Sequence, residues 1–396
     1  MPPEARDPHF VVVSDVSGFD ALAEAWNGLA ERRGESRMGF QSFAWMRSAS
    51  LHYADQGGAP HLLLGYVKGR LALIWPLRAS RFPGLTILED LGEPLCQYHD
   101  AIIDAEAPAD LLVAGALRHL ESLNFDALIL RRVREDSALT PALLVAGARI
   151  TRTQRAPYID FAAGETSDDF EQALSGKARG NRRRRLRRLQ EIGEISHESD
   201  VLPERAEQLI GVALDFKRAW ALAEGRYAPA VFDIRFERCL RDAARRKDPD
   251  AALRVFALLC GGRPIGVEIS FGYKGRLFAH VLAHDPRLAK FGVGVALADA
   301  TIRDAYAHGY RLFDLLAPAD PYKTDWARRD VAVHDLLLAR TRRGALFGLA
   351  KAGAIDSARR AATRAPPLFA RALMRRAERR RVEAVKPDLD SVKTPR

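Results

Sequence analysis

The chain has few cysteines, few methionines and no long apolar run. Its 396 residues hold three cysteines, Cys96, Cys239 and Cys260, and four methionines. An odd, scattered set of cysteines excludes a disulfide framework, and no C-x-x-C pair is present to suggest a zinc site. Each cysteine reads as a small buried apolar residue in a reducing compartment. No stretch approaches about 18 unbroken apolar residues, so no transmembrane helix is expected. The start, MPPEARDPHF, lacks a basic segment followed by an apolar one, so no signal peptide is read there. These absences point to a cytoplasmic protein that contacts membranes, if at all, from their inner face.

What is present is enough apolar residue (47%) to build real cores, over a length that suits two domains and a tail. The net charge of +10 is unevenly spread. Eight basic residues fall within the twelve positions from Lys177 to Arg188, and a second excess follows Arg340. Such blocks invite phosphates, CoA, nucleotide sugars, anionic lipid or nucleic acid. The first block lacks interleaved aromatics, which argues against nucleic acid. Leu186, Leu189 and Ile192 are read as its inward stripe.

Periodicity predicts an α/β chain. In the first half, residues 10–13 read as a strand and 19–33 as an amphipathic helix. Residues 61–67 and 70–80 form a hairpin turning at Lys68-Gly69, residues 109–123 a helix and 127–133 a strand. A new unit begins near Pro157. It runs through a basic helix over 168–193, single or broken near Gly180, and helices over 203–223 and 229–246. Three strands follow over 253–285, the first two joined at Gly261-Gly262. A glycine turn leads into a helix over 296–309, and strands over 310–316 and 331–340 close the unit. The domains are thus placed at 1–156, 157–342 and a basic helical tail, 343–396, broken at Pro366-Pro367 and disordered at its end.

The most suggestive chemistry is a strand, then Gly292-Val293-Gly294, then a helix. Glycines let a backbone approach a ligand, and a helix N-terminus offers free N–H groups to a pyrophosphate. Lys290 adds a point charge, and Phe291 and Val293 complete the candidate loop. An ordinary strand–helix connection would look similar. Acyl transfer also needs a base, an oxyanion donor and an acid for the leaving thiolate. Glu268, mid-strand among apolar residues, is the first candidate base, although a solvent-facing strand position is compatible with its spacing. His280 and His284, four apart on one strand, should face the same side, and His280 is the alternative base. Tyr98 and Asp100 are candidate lining of an acceptor cleft.

The order of these pieces resembles one family. GKARGNRRRRLRRLQEIG, PIGVEISF, AHDPRLAKFGVGVALADATIRDAYAHGYRLFDL and PYKTDWA, with FQSFAW and QYHDAIID in the first half, are similar to the CelD/BcsL acetyltransferase-like branch of the GNAT superfamily. The resemblance implies two tandem GNAT-like domains, each a mixed sheet flanked by helices. It implies acetyl-CoA or another acyl-CoA as donor, no metal, and an acceptor sugar in exopolysaccharide, capsule or holdfast synthesis. It implies a catalytic role for Lys323, with Tyr322 as acid to the thiolate. The basic helix, through Arg179 and Arg183, would receive a phosphorylated or lipid-linked sugar. The chain is also similar to the FemABX transferases, which implies an alternative use of aminoacyl-tRNA. It departs from the usual patterns at Ala289, where GNAT enzymes often carry Gln or Arg, and at Ala317-Pro318-Ala319-Asp320, where the family often has glycine. These departures leave a degenerate binding module as the non-enzymatic alternative. The tail reads as an anchor on anionic lipid, a packed helix, or a regulatory site for a cyclic dinucleotide.

Overall fold

A computed structural model of the protein describes residues 8–364, apart from 53–57, 163, 225–227 and 247–250. The tail beyond Arg364, with Leu368, Phe369, Leu373 and the Pro366-Pro367 break expected there, lies outside the described residues.

The strands in chain order are β1 (His9–Val13), β2 (Gly58–Val67), β3 (Arg70–Phe82), β4 (Leu85–Asp90), β5 (Ile102–Ile103), β6 (Ala127–Arg134) and β7 (Arg149–Asp160), followed by β8 (Ile195–Glu198), β9 (Ala251–Cys260), β10 (Arg263–Tyr273), β11 (Arg276–His284), β12 (Leu312–Asp314) and β13 (Arg329–Ala339). They form one 13-stranded mixed sheet in the order β1-β2-β3-β4-β6-β13-β7-β12-β11-β10-β9-β8, with β5 on the side of β3. The hairpins close where glycine permits positive φ. Lys68-Gly69 turns β2 into β3, and Gly261-Gly262 turns β9 into β10 with φ of 55° and 75°.

The topology repeats. In each half, four antiparallel strands end in a short parallel pair, β4 with β6 and β11 with β12. A helix crosses between the members of each pair, Ala109–Glu121 in the first half and Val293–Ala307 in the second. The last two long strands then cross over. β13, late in the chain, pairs with β6, while β7, early in the chain, pairs with β12, and β13 and β7 pair with each other. The sheet is therefore continuous through both halves. The fold is two tandem GNAT-like units with a shared seam. β4, β7 and β8 are strands that the sequence pattern did not announce. In β7 the polar run RITRTQR hides the alternation, and Pro157 reads as a boundary.

The basic helix breaks at Ser175, five residues before Gly180, because the Ser175 hydroxyl accepts from the Ala178 amide and caps the segment Gly176–Gln190. Its inward stripe also differs from expectation. Leu189 is buried, but Leu186 and Ile192 are exposed, and the inward register is completed by Arg182, whose guanidinium lies 3.2 Å from the Trp326 ring centroid.

The largest core cluster spans both halves, with Phe40 and Trp45 against Phe271 and Phe278. Gly39 allows this approach, since a Cβ there would fall 2.9 Å from both the Phe271 and Phe278 rings. Beside this apolar seam lies one buried carboxylate, Asp314, at the end of β12. It accepts from the Tyr98 hydroxyl at 2.7 Å, the Arg276 guanidinium at 3.1 Å and the Leu316 amide at 3.0 Å. Arg134 stands 3.6 Å away.

This network gives a stability prediction. Tyr98→Phe removes one charge-assisted hydrogen bond and should cost about 1–3 kcal/mol. Asp314→Ala removes the ion-pair partner of the buried Arg276 guanidinium and should cost about 3–5 kcal/mol. Urea denaturation at neutral pH measures both, and equal, small losses would contradict the ranking.

Candidate active site

β11 and β12 are hydrogen-bonded only from Arg276 to Phe278 and from Leu312 to Asp314. Beyond that the two strands part. β11 carries on along β10, with a register shift opposite Ile269 and Ser270 that leaves His280 as an extra residue. β12 ends at Asp314, and the chain turns at Leu316, which has φ +61°. The parting opens a cleft of about 420 Å³.

One wall of the cleft is the glycine turn. Asp285 accepts from the Arg287 amide and starts the short 3-10 segment Pro286–Phe291. Gly292 follows at φ +77°, left-handed, as the N-cap of helix Val293–Ala307, and no side chain caps that helix. A Cβ on Gly292 would lie 2.6 Å from the Arg185 side chain, and one on Gly294 would lie 3.3 Å from the His284 ring. Lys290, Gly292 and Gly294 line the cleft, as does Arg185. Phe291 and Val293 instead pack into the core beneath the helix. Bare amides at a helix N-terminus, with Arg185 and Lys290 beside them, fit a pyrophosphate.

The opposite wall comes from helix Pro203–Glu224, through Phe216, Lys217 and Trp220, and from Asp320 and Tyr322. Lys323 is buried behind Tyr322, and its ammonium donates to the Leu316 carbonyl at 2.9 Å. Burial lowers the Lys323 pKa to about 8, and nearby Lys217 pushes the same way while Asp320 and Asp314 oppose it. Burial, with Glu268 and Asp320 nearby, pushes the Tyr322 phenol well above its ordinary value. Glu268 is 1% exposed, on the face of β10 that meets helix 293–307. Burial raises its pKa to about 7. The Ser270 hydroxyl, donating at 3.0 Å, opposes part of that rise, as do the nearby Thr301 hydroxyl and Lys323. The solvent-facing alternative for Glu268 is thereby excluded.

Several candidates lie elsewhere. His280 does not share a side with His284, because the bulge reverses the alternation of β11. His284 lines the cleft. His280 sits in the apolar seam near Phe40, Trp45 and Phe236, with Nε2 at 2.9 Å from the Leu95 carbonyl. Burial pushes its pKa down to about 4. Tyr98 and Asp100 are buried rather than cleft-lining. Tyr98 serves Asp314, and Asp100 accepts from Ser137 at 2.7 Å and from the Ala101 amide. Arg179 caps the preceding helix through the Gln172 and Leu174 carbonyls, and Arg183 is 71% exposed beside Glu171. Of the arginine block, Arg185 reaches the cleft. Phe216, Lys217 and Trp220 were not singled out from the sequence. Their only signal was i, i+4 spacing on one helix face. Among the described residues no group of His, Cys, Asp or Glu is arranged to hold a metal.

Residues 176–324 match the family model described as an acetyltransferase (GNAT) domain. The second half therefore carries a GNAT acetyltransferase domain, whose fold implies an acyl-CoA donor, and the match spans every cleft residue named above. Among solved structures the chain is similar to FemX, with TM-score 0.57 and 10% identity, covering 78% of this chain and 94% of that one. It is similar to the C-terminal domain of a proposed lysylphosphatidylglycerol synthetase from Agrobacterium fabrum, with TM-score 0.53 and 11% identity over 85% and 97% of the two chains. A tandem GNAT protein from the clavulanic acid biosynthesis pathway gives TM-score 0.48 and 13% identity over 84% and 98%. At such identities the first two establish the fold. No curated protein matches the chain.

Glu268 links the site to pH. Its folded pKa, about 7, lies above the ordinary 4.5. The stability it contributes as a neutral acid is complete below the ordinary value and is lost as pH rises through about 7. Glu268→Gln should therefore flatten the stability profile across this window and gain on the wild type above it, by roughly 3 kcal/mol at most. Denaturation midpoints across that pH range measure this, and parallel profiles would contradict a buried, protonatable Glu268.

Proposed function

We propose that the protein is an acyl-CoA-dependent N- or O-acyltransferase of the CelD/BcsL kind. Its acceptor would be a phosphorylated or lipid-linked sugar or amino sugar in exopolysaccharide, capsule or holdfast synthesis. The observation that carries the donor assignment is the uncapped helix N-terminus at Gly292–Gly294, flanked by Arg185 and Lys290 at the parting of β11 and β12. The sugar acceptor rests on the order of the sequence motifs.

In this reading the pyrophosphate lies on the turn and the thioester runs along β11 toward Tyr322. The acceptor nitrogen or oxygen attacks the thioester carbonyl, a C–N or C–O bond forms, and the C–S bond breaks. Glu268 takes the acceptor proton, since a carboxyl titrating near neutrality is both ionised and basic enough to do so. Lys323, cationic below about pH 8, places positive charge by the developing oxyanion. Tyr322 lines the cleft, and its raised pKa keeps the phenol protonated as a donor to the reacting oxygen or to the leaving thiolate. The thiolate is then protonated by Tyr322, by Glu268 or from solvent.

The C-terminal helix Arg342–Arg364 exposes Leu346 (71%) and Leu349 (47%) beside a basic run, which supports contact with an anionic membrane surface. Among the described residues no helix is long and apolar enough to cross a membrane.

Two outcomes are expected. Calorimetry should show acetyl-CoA binding that Gly292→Val and Gly294→Val each weaken at least about tenfold. Absence of binding by folded wild type, with binding of aminoacyl-tRNA instead, would replace the donor. The turnover rate should follow a narrow bell, rising through about pH 7 with Glu268 and falling through about pH 8 with Lys323. Glu268→Gln should abolish the acid limb and Lys323→Met the alkaline one. Limbs that persist in these variants would assign the titrations elsewhere.

A further inference from the structure

The cleft has two cationic poles, and the donor reading uses only one. Arg185 and Lys290 stand at the glycine turn. Across from them, Lys217 projects from helix Pro203–Glu224 into the same cleft, between Phe216 and Trp220. Its side chain is partly open to the cleft, while protein surrounds the ammonium on most sides. Among the described residues this ammonium has no hydrogen bond and no ion pair. It stands 4.9 Å from the Trp220 ring centroid, and Asp320 acts on it only from beyond ion-pair contact. Lys217 is also close enough to Lys323 to help lower the pKa of that ammonium.

An ammonium that lines a cleft near a second one, with no carboxylate in contact, is a ready seat for an anion. A second charged cleft, about 290 Å³ between β4, β6 and the C-terminal helix, shows the contrast. There Arg78 and Lys351 both pair with Glu89, and Arg131 pairs with Glu93 at 3.0 Å. That cleft neutralises itself, and Lys217 does not.

We propose that Lys217 holds an anionic substituent of the acyl acceptor, a phosphate or a carboxylate, seated against Trp220 next to the reacting carbonyl. The proposal rests on the reading of this cleft as the acyl-transfer site. A lysine suits such a group as a point charge on a flexible stem, and the indole face holds the ammonium in place when the acceptor is absent. The acceptor is then recognised by its charge rather than by shape alone. Of the arginine block on helix 176–190, Arg185 lines the cleft, and it stands on the donor side.

The test uses the full chain with saturating CoA, which occupies the turn. Lysines are labelled with N-hydroxysuccinimidyl acetate, and the rate at Lys217 is read by peptide mass spectrometry. Three probes are compared: glucose 1-phosphate, glucuronate and glucose. Glucose 1-phosphate or glucuronate should slow labelling of Lys217 at least about threefold while glucose leaves it unchanged. The anion that protects identifies the substituent. Lys217→Met should lose calorimetric binding of that anion yet keep the wild-type Kd for CoA, and Lys217→Arg should restore it. Protection by neither anion, equal protection by glucose, or full protection by CoA alone would overturn the proposal. Failure of CoA to bind the turn would overturn the donor reading separately. The anion arms, repeated without CoA, would still decide the role of Lys217.

Discussion

The carboxylate of Asp314 is the constraint on which the rest of the arrangement depends. It is fully buried at the point where β12 leaves the sheet. An isolated carboxylate there would be strongly disfavoured, so the surroundings must bring donors to it. They come from three places: the first half sends Tyr98, β11 sends Arg276, and the following turn sends the Leu316 amide. Leu316 in turn presents its carbonyl to the Lys323 ammonium. A single buried charge thus joins the two halves, ends the strand and sets the position of the lysine. That is why Tyr98 and Lys323, 225 positions apart, belong to one polar system.

The parting of β11 from β12 is the second consequence. Two parallel strands that stayed paired would leave no room between them. Asp314 turns one strand away, and the bulge at His280 lets the other keep its bond to β10 while rotating its side chains. The rotation carries Leu282 and His284 into the cleft and His280 into the apolar seam. The first half repeats the parallel pair with β4 and β6, but fills its opening with internal ion pairs. One architecture therefore yields a cleft with charges to spare in one half and a neutralised one in the other.

Much of this was legible in the residues. Hairpins announced by Lys68-Gly69 and Gly261-Gly262, the helix after Gly292-Val293-Gly294, and the α/β alternation all rest on local chemistry, and local chemistry is what a sequence displays. Glu268 stood out for the same reason, as a carboxylate in an apolar run. What was not legible depends on partners distant in the chain. The seam of β7 and β13 needs both strands in view, and β7 by itself looks like a polar linker. His280 and His284 are four apart, and only the pairing with β10 reveals the extra residue between them. Tyr98 and Asp100 carry the residue types of a binding loop, yet their partners are Asp314, Ser137 and a backbone amide. Within the arginine block, composition cannot tell Arg183, in solvent, from Arg182, on Trp326, or Arg185, in the cleft.

The charges around the cleft also constrain chemistry on physical grounds. Glu268 and Lys323 are buried near one another without forming an ion pair. Each is shifted toward its neutral form, the carboxyl upward and the ammonium downward, so burial outweighs their mutual attraction. A closed ion pair would fix both protons and leave neither group free to exchange one near neutrality. Kept apart, the carboxyl near 7 and the ammonium near 8 both lie within reach of physiological pH. The Leu316 carbonyl maintains that separation by holding Lys323 on the β12 side, and the Ser270 hydroxyl holds Glu268 on the β10 side. The opening between the two strands therefore does two things at once. It makes room for a ligand, and it keeps an acid and a base from neutralising each other before one arrives.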